Sequence, residues 1–382
     1  MLNSATAKVE SPPVLLRRPR VRALDAGDLG QVAGIFRGVF RKRSEAGSQA
    51  LERDLSACFL EHPHYEEATC SLVYERPTGE IGGFFGAMPL RVNFMGARDL
   101  GSVMSTWMVS DRARDARAGA MLAQAHFKRP HACMFVDTAN NVALGFASST
   151  RMAVLPSDSL QWVKPLSYLG YAVSSLGRRI PGRPLEALSN GAERTESFFR
   201  RVTGKAAEGF EADCAFRPVT SENFSLLFLE LVQNYRLRPD WTAEFLQWML
   251  SICGRRPNMG PLRLCEVIDR AGRPIGGYAF HITPMRRAMV LQIVANRGAE
   301  IHVLQALIED ARQQRCVAVC GAANRRLIES LFRIPNVFYR HTCTTAARTR
   351  QPEMMLAVHE GDALVGGLVG DSWLPLTSES YA

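Results

Sequence analysis

Three arginines follow an apolar segment and precede a run of small residues, an order that can bind a diphosphate. Residues 103–109 are apolar enough to predict a β-strand. The arginines that come next are Arg112, Arg114 and Arg117, and Ala-Gly-Ala at residues 118–120 leaves the backbone uncovered where a helix is expected to begin. Peptide N–H groups at a helix N-terminus and guanidinium groups both bind phosphate oxygens well. A solvated basic turn between a strand and a helix is the alternative interpretation.

The length and composition indicate a globular protein with more than one domain. The chain has 382 residues, of which 47% are hydrophobic and 22% are charged. Such a length favours two domains over a single core. No apolar run approaches the ~18 residues that a membrane helix needs, and no apolar signal segment follows Met1. These features predict a cytoplasmic protein without a membrane span.

The charge favours an anionic partner. The formal net charge is +9 at pH 7, and the isoelectric point is near 9.3. The basic residues form clusters along the sequence in which aromatic residues are not interspersed. Surfaces that bind single-stranded nucleic acid combine both residue types, so we do not expect a nucleic-acid partner. A phosphorylated small molecule or an acyl carrier protein suits the charge. The nine cysteines are scattered and lack zinc-site spacing, which predicts reduced thiols and no bound metal.

The elements around the arginine turn follow the order of a mixed sheet. The predicted elements are a strand near residue 21, helices at residues 29–40 and 50–60, a hairpin over residues 71–90, the strand at 103–109, a helix to residue 127, a strand at 132–137 and a helix from Asn140. The strand–helix–strand unit in the middle predicts a parallel crossover within an otherwise antiparallel sheet.

From Phe216 the same order of elements starts again. It comprises a strand, two helices, a hairpin over residues 262–282, a strand at 288–295, a helix and a strand at 316–319. Matching order without residue-level identity indicates a duplication of the fold. We therefore divide the chain into a disordered tail (1–18), a first domain (19–166), a linker with some helix (167–214) and a second domain (215–375).

The arginine turn and its neighbours resemble the GNAT superfamily of N-acyltransferases. In that family the loop and helix after the fourth strand hold the diphosphate of coenzyme A through the pattern Gln/Arg-x-x-Gly-x-Gly/Ala. Arg114, Arg117 and Gly119 occupy the three defined positions, so that Arg117 replaces the middle glycine. Asn140 begins a segment similar to the next family motif, an Asn three residues before an Ala. The tyrosine that often acts as the family's general acid is replaced by Ala147.

The resemblance implies an α+β fold with two tandem GNAT-like domains. Each would be a mixed, mostly antiparallel sheet, flanked by helices, with a central βαβ crossover. Relatives with two such folds occur in bacterial polysaccharide and aminoacyl-transfer systems, and residues 162–166 are similar to the endings of their domains. The second domain has one Gly and one Arg at the loop position, residues 296–299, so we expect that copy to be degenerate.

The implied activity is transfer of an acyl group from acetyl-CoA or another acyl-CoA to a primary amine. The acceptor would be a small metabolite, an amino sugar or an amino acid, CoA would be a co-substrate, and no metal would take part. A peptide N–H at a bulge in the strand would polarise the thioester carbonyl. The residues expected to bind the cofactor are Trp107, Met108, Val109, Arg112, Arg114, Arg117, Ala118, Gly119, Ala120 and Asn140.

Asp137 is the candidate catalytic residue. It ends the strand after the loop and helix, where it could take a proton from the amine through water, although capping of the next helix explains it equally well. Two other functions remain open. One is a transferase that takes its acyl group from an acyl carrier protein or an aminoacyl-tRNA. The other is a non-catalytic tandem GNAT-like protein that binds a ligand.

Overall fold

A computed structural model of the chain describes residues 18–41, 48–111, 113, 117–140, 145, 150–177, 214–256 and 259–377. Several sequence predictions fall outside these residues. They are Arg112 and Arg114 of the diphosphate site, nearly all of the tail, most of the linker and most of the helix predicted from Asn140. No helix in the described part of the chain is long and apolar enough to cross a membrane.

The first sheet contains the parallel crossover predicted from the sequence. Its strands are β1 (Arg20–Ala23), β2 (Leu72–Glu75), β3 (Ile81–Phe94), β4 (Ala97–Val109), β5 (Cys133–Ala139), β6 (Ala153–Val154), β9 (Leu237–Pro239) and β15 (Thr344–Thr349). They lie in the order β1–β2–β3–β4–β5–β15–β6, and β9 pairs with β3. Because β4 and β5 pair in parallel while their neighbours pair antiparallel, the sheet is mixed, as predicted.

Helices cover both faces of this sheet. α1 (Leu29–Phe40) and α2 (Ser48–Phe59) pack on one face, and α3 (Ala118–Phe127) packs on the other. Neighbouring residues of a strand point to opposite faces, so the consecutive phenylalanines of β3 serve both cores. Phe84 belongs to the core with α1 and α2, whereas Phe85 belongs to the core with α3.

The second sheet repeats this plan. Its strands are β7 (Leu160–Pro165), β8 (Cys214–Pro218), β10 (Leu262–Asp269), β11 (Pro274–Ile282), β12 (Arg287–Ala295), β13 (Ala318–Ala322) and β14 (Phe338–His341). Their order is β14–β7–β13–β12–β11–β10–β8, with β12 and β13 parallel. Other helices among the described residues are α4 (Tyr168–Gly177), α5 (Ser221–Leu231), α6 (Ala243–Cys253), α7 (Glu300–Gln313), α8 (Arg325–Phe332) and α9 (Pro352–Glu360). The architecture confirms the predicted α+β fold of two mixed sheets.

Strands cross between the two halves. β7 precedes residue 166 but lies in the second sheet between β13 and β14, whereas β9 and β15 come from the second half and lie in the first sheet. Sheet membership therefore does not follow the predicted division at residues 166 and 215, which remains a prediction. Hydrophobic patterns identify a strand but not its partner across the chain, so the sequence could not show this exchange.

One hydrophobic core joins the halves. Phe36 and Phe84 of the first half belong to the same buried cluster as Phe228 and Leu246 of the second. Each fully buried side chain of this size contributes roughly 1.5–3 kcal/mol to stability, so the shared cluster holds the sheets together strongly. We therefore expect the two halves to unfold as one cooperative unit.

Replacing Trp162 tests this cooperativity. Its side chain is fully buried in β7, and its Nε1 donates to the carbonyl oxygen of Ala322 at 3.2 Å. We predict that Trp162→Ala lowers the free energy of unfolding by about 3–5 kcal/mol because it leaves a large cavity. Chemical denaturation with amide hydrogen exchange should show faster opening of both sheets, whereas the control Val154→Ala, at an exposed position in β6, should have little effect. Faster exchange limited to the second sheet would contradict cooperative unfolding.

Candidate active site

A cavity opens where β4 and β5 separate. The two strands pair at Ser102–Met134 and Val103–Phe135, and beyond these residues they diverge. The space between them has a volume of about 940 Å³. This size is within the range of small-molecule sites. The edge of β4 beyond Val103 therefore faces a cavity in place of a neighbouring strand.

The cavity is bordered by a β-bulge in β4. Gly86 of β3 pairs with Ser105 and Phe84 pairs with Met108, so that two residues of β4 lie opposite one residue of β3. Thr106, in the bulge, has a φ of +48°, a conformation that non-glycine residues rarely adopt. A bulge takes backbone groups out of the ladder and often lies next to an active site. The bulge predicted near Trp107 is thus present and lies on the cavity wall.

The N-terminus of α3 forms one end of the cavity. Arg117 precedes the helix with φ +56° and ψ +23°, the left-handed conformation, and Gly119 lies next to the bulge. A Cβ added to Gly119 would lie 3.4 Å from Val109 Cγ2 and 3.6 Å from Trp107 Cζ2. The Gln/Arg-x-x-Gly-x-Gly/Ala pattern has a glycine at the position of Arg117. Glycine adopts the left-handed conformation without steric cost, which is a physical reason for its place in that pattern. The first N–H groups of a helix have no partner within it and can receive an anion.

The structure brings most of the predicted cofactor-binding residues together. Those on the cavity wall are Trp107, Met108, Val109, Arg117, Gly119, Ala120 and Asn140. Ala118 lies between two of them in sequence but is buried in the core beneath α3. Arg112 and Arg114 are outside the described residues, so their part in the site remains a prediction.

Asp137 lies beside the cavity, but its carboxylate is engaged elsewhere. Its Oδ2 accepts from the backbone N–H of Gly367 at 3.0 Å, and its Oδ1 accepts from the N–H groups of Asp371 and Ser372 at 2.6 and 3.1 Å. The side chain is nearly buried. These bonds connect the end of β5 to a C-terminal segment, residues 366–372, which we call the strap. A catalytic role for Asp137 remains a prediction, and the geometry shows an anchoring role.

Sequence reasoning missed a carboxyl group on the cavity wall, that of Asp371. It comes from the strap, is 1% exposed, and accepts from the backbone N–H of Asp137 at 3.1 Å and from Thr138 Oγ1. Burial raises the pKa of the Asp371 carboxyl well above its usual range, and the Asp137 carboxyl raises it further. The local signal was only an aspartate after a glycine-rich stretch, and nothing in that pattern links residue 371 to β5.

The cavity passes through the sheet from one face to the other. Phe85 and Trp107 line it and pack with the α3 core, whereas Phe36 and Met108 line it and belong to the core with α1 and α2. This passage exists because β4 and β5 separate within the sheet. The cavity therefore has two sides, one at the start of α3 and one at α1 and the strap.

A buried histidine supports the cavity wall from behind. The His126 ring stacks on Phe85 with centroids 4.6 Å apart and is 4.9 Å from the His131 ring. Within the described residues neither ring nitrogen of His126 has a hydrogen-bond partner. Burial lowers the pKa of His126 well below its usual value and that of His131 to about 4. The burial of both rings favours their neutral forms.

No metal site is formed by the described residues. No group of three or more His, Cys, Asp or Glu side chains in them could hold a metal ion. Cys316 and Cys320, which are close in sequence, are both buried in the second half. His62 and His64 are buried against Phe245, with ring centroids 5.3 and 4.1 Å from the Phe245 ring.

The buried histidines make stability pH-dependent. Their native pKa values lie below the ordinary value of about 6.5, so the native state binds fewer protons than the unfolded state. The contribution of these histidines to the free energy of unfolding is therefore fully present above pH 6.5. It decreases as the pH falls toward 4, by up to about 1.4 kcal/mol per pH unit for each histidine. We predict that His126→Leu reduces the difference between urea-unfolding free energies at pH 7.5 and pH 5. The control His359→Leu, at an exposed position, should leave that difference unchanged; equal pH dependence in wild type and His126→Leu would refute this account.

Comparison with known proteins identifies the fold. No family model matches the sequence, and no curated protein sequence matches it. A crystal structure from Enterococcus faecalis, described as a "probable N-acyltransferase", is 10% identical with a TM-score of 0.57 and covers 87% of this chain and 73% of its own. GCN5-related N-acetyltransferases from Anabaena variabilis and Kribbella flavida are 13% and 12% identical, with TM-scores of 0.56 and 0.54. Each covers 88% of this chain, and the matched shares of their own chains are 74% and 72%.

At these identities the likeness concerns the fold alone. It extends over both sheets, because most of the chain is covered. The two-sheet fold of this chain is therefore similar to that of these N-acetyltransferase structures over most of its length.

Proposed function

We propose that this protein is an acyl-CoA-dependent N-acyltransferase with one active site in the cavity between β4 and β5. One observation carries the proposal: the cavity crosses the sheet between a helix N-terminus and a buried carboxyl group. A donor can approach from one side and an acceptor from the other. The two reactants then meet at the bulge, and holding them in this geometry lowers the entropic barrier to reaction.

The α3 side suits the coenzyme. The diphosphate would lie at the start of α3, where Arg117 and the N–H groups of the first turn provide positive potential. The pantetheine arm would follow β4 along its exposed edge toward Trp107. Arg112 and Arg114 of the preceding turn would add guanidinium contacts. This arrangement supports the diphosphate site inferred from the sequence motif.

The bulge suits the thioester. The bulge between Ser105 and Met108 interrupts the regular β4 ladder on the cavity wall, and the backbone N–H of Thr106 there would polarise a carbonyl oxygen in the cavity. A fixed peptide dipole stabilises the negative charge that develops on that oxygen during attack. We therefore assign the reacting carbonyl to the bulge at Thr106 and Trp107.

Asp371 suits the role of proton acceptor. Its carboxyl group is on the cavity wall and is held by Thr138 and the backbone of Asp137. A carboxylate with a raised pKa is a stronger base than an ordinary one, which matches the need to deprotonate an amine. The amine nitrogen forms the new C–N bond, its proton passes to Asp371, and the C–S bond breaks. The CoA thiolate then takes up a proton, so the products are an amide and free CoA.

The acceptor side of the cavity is mostly apolar. Besides Asp371 and Arg41, it is lined by Phe36, Val39, Phe40 and Leu376. Burying apolar surface contributes about 25 cal/mol per Å², so this wall favours an amine that carries an apolar or aromatic group. An amino acid or small metabolite of this kind fits better than a highly hydroxylated amino sugar.

Isothermal titration with acetyl-CoA is the first test. Saturable binding with one site per chain supports the proposal. If acetyl-CoA does not bind at high micromolar concentration but an acylated carrier protein raises the melting temperature, the donor is the carrier. Absence of both effects would leave the non-catalytic alternative. Mass spectrometry of protein purified from its host would identify any CoA thioester that stays bound.

The Arg117→Gly variant should change CoA binding and protein stability in opposite directions. We predict a gain of about 1 kcal/mol in unfolding free energy, because glycine relieves the left-handed backbone strain. CoA affinity should decrease about 10- to 100-fold, since a charge-assisted contact is lost. Arg315→Gly is a matched control, because Arg315 also has a positive φ (+55°), is exposed and does not line the cavity. It should gain stability without changing CoA affinity in calorimetry, whereas unchanged affinity in Arg117→Gly would contradict this assignment.

Asp371→Asn tests the proton acceptor. CoA release from acetyl-CoA would be followed with a panel of primary amines, and the best acceptor would be used for the comparison. We predict that kcat falls about 10²- to 10⁴-fold while the KM for acetyl-CoA changes little. In the wild type, kcat should rise with pH as the Asp371 carboxyl ionises, above the usual carboxyl range, and this step should disappear in the variant. Asp158→Asn is the control: burial also raises the pKa of Asp158, to about 6, but its side chain is not on the cavity wall. Similar losses in both variants would exclude a specific role for Asp371.

A further inference from the structure

The second sheet contains the same kind of opening as the first. β12 and β13 pair in parallel from Arg287–Ala318 to Met289–Cys320 and then diverge. A bulge follows in β12, because Phe280 of β11 pairs with Val290 and Ala279 pairs with Gln292. The opening and the bulge therefore occupy corresponding positions in the two halves.

The strap occupies the opening of the second sheet. The backbone N–H of Leu368 donates to Gln292 Oε1 at 3.0 Å, and Gln292 Nε2 donates to the Ile293 carbonyl at 3.0 Å. Leu368 and Val369 are each 1% exposed. The bulge of β4 therefore borders a cavity, whereas the corresponding bulge of β12 binds a segment of the protein's own chain.

Close backbone contact makes this fit specific. Gly367 has a φ of +61°, and a Cβ added there would lie 2.6 Å from the carbonyl oxygen of Leu291. At the other end of the strap, a Cβ added to Gly370 would overlap the Asp137 carboxylate. A side chain at residue 367 would displace the β12 backbone, and one at residue 370 would displace the Asp137 carboxylate. The strap is thus held at both ends, by β12 and by β5.

The anion position of the second half is also occupied by the chain itself. Glu300, at the start of α7, accepts from the backbone N–H of Gly298 at 2.7 Å and from Arg326 Nε at 2.8 Å. In the first half the corresponding helix start, at Arg117, borders the cavity. A carboxylate at a helix N-terminus satisfies the same dipole that would attract a phosphate.

From these contacts we infer that Gln292 is a positioning residue for the first active site, acting through the strap. Gln292 holds Leu368, Asp137 holds Gly367 and Asp371, and the strap thereby places the Asp371 carboxyl on the cavity wall. In the second half, the opening between β12 and β13 binds the strap. This inference rests on the proposed function, because it assigns a purpose to the position of Asp371.

The physical reason is the short distance along the chain between the two anchors. Leu368 and Asp371 are separated only by Val369 and Gly370, so loss of the Leu368 bond loosens the segment that carries Asp371 and leaves Asp137 and Thr138 to hold its carboxyl group alone. A displacement of about 1 Å at a reacting group can cost on the order of 10²-fold in rate. Gln292 touches neither the donor side nor the bulge of the first site, so the loss should concern proton transfer and not CoA binding.

Gln292→Met is the variant that tests the inference. Methionine keeps the length of the side chain and removes the acceptor for the Leu368 N–H. Gln313→Met makes the same replacement on α7, at an exposed residue far along the chain from the strap, and serves as a matched control. Three measurements on the full-length protein are needed: calorimetric titration with CoA, the pH profile of CoA release from acetyl-CoA with the best amine, and hydrogen exchange of amides 367–372.

We expect Gln292→Met to bind CoA with wild-type affinity and one site per chain. Its kcat should fall at least 10-fold, the acid side of its pH profile should shift, and the strap amides should exchange faster. A normal pH profile and kcat in a variant with faster strap exchange would overturn the inference while leaving the proposed function intact. Failure of the wild type to bind CoA would instead reject the proposed function. If Gln292→Met fails to fold, Gln292→Glu is the second variant: burial favours its protonated form, which can donate to the Ile293 carbonyl and accept from the Leu368 N–H, so it should fold and retain the wild-type strap exchange. Rapid strap exchange there would equally overturn the inference.

Discussion

Two parallel strands that pair over a short distance and then separate determine the layout of this protein. β4 and β5 share only the register from Ser102–Met134 to Val103–Phe135, and the sheet opens beyond it. An open edge within a sheet exposes backbone groups that must bind something. In the first half the opening is a cavity, and the start of α3, the bulge and Asp371 all lie around it.

The same constraint has a different solution in the second half. There the opening between β12 and β13 receives Leu368 and Val369, and the α7 N-terminus receives Glu300. The two sheets thus contain openings that differ in what fills them: one is a cavity and the other is closed by the chain. Strands β7 and β15, which pair in the sheet of the other half, and the shared core hold the two openings at fixed positions relative to each other.

Much of the fold could be predicted because the patterns are local. The hairpin of β2 and β3, the strand–helix–strand unit and their repetition after residue 216 follow from hydrophobic periodicity and turn residues. The candidate cofactor residues from Trp107 to Ala120 could be proposed from the sequence because they are close together in it, and those among them that line the cavity do so around one strand end and one helix start. Asp371 was not predictable, because its place beside Thr138 depends on a contact between residues 233 positions apart.

The sequence by itself determined which segments become strands and helices, and where bare helix-start amides and arginines follow a strand, because these depend on side-chain type and near neighbours. The tertiary structure decided the rest. It decided that β7 and β15 exchange sheets, that the Asp137 carboxylate binds backbone amides and that the strap brings a second carboxyl to the cavity. Those outcomes depend on which segments distant in sequence pack against each other and on which polar groups are buried together. The spacing of residues along the chain determines neither.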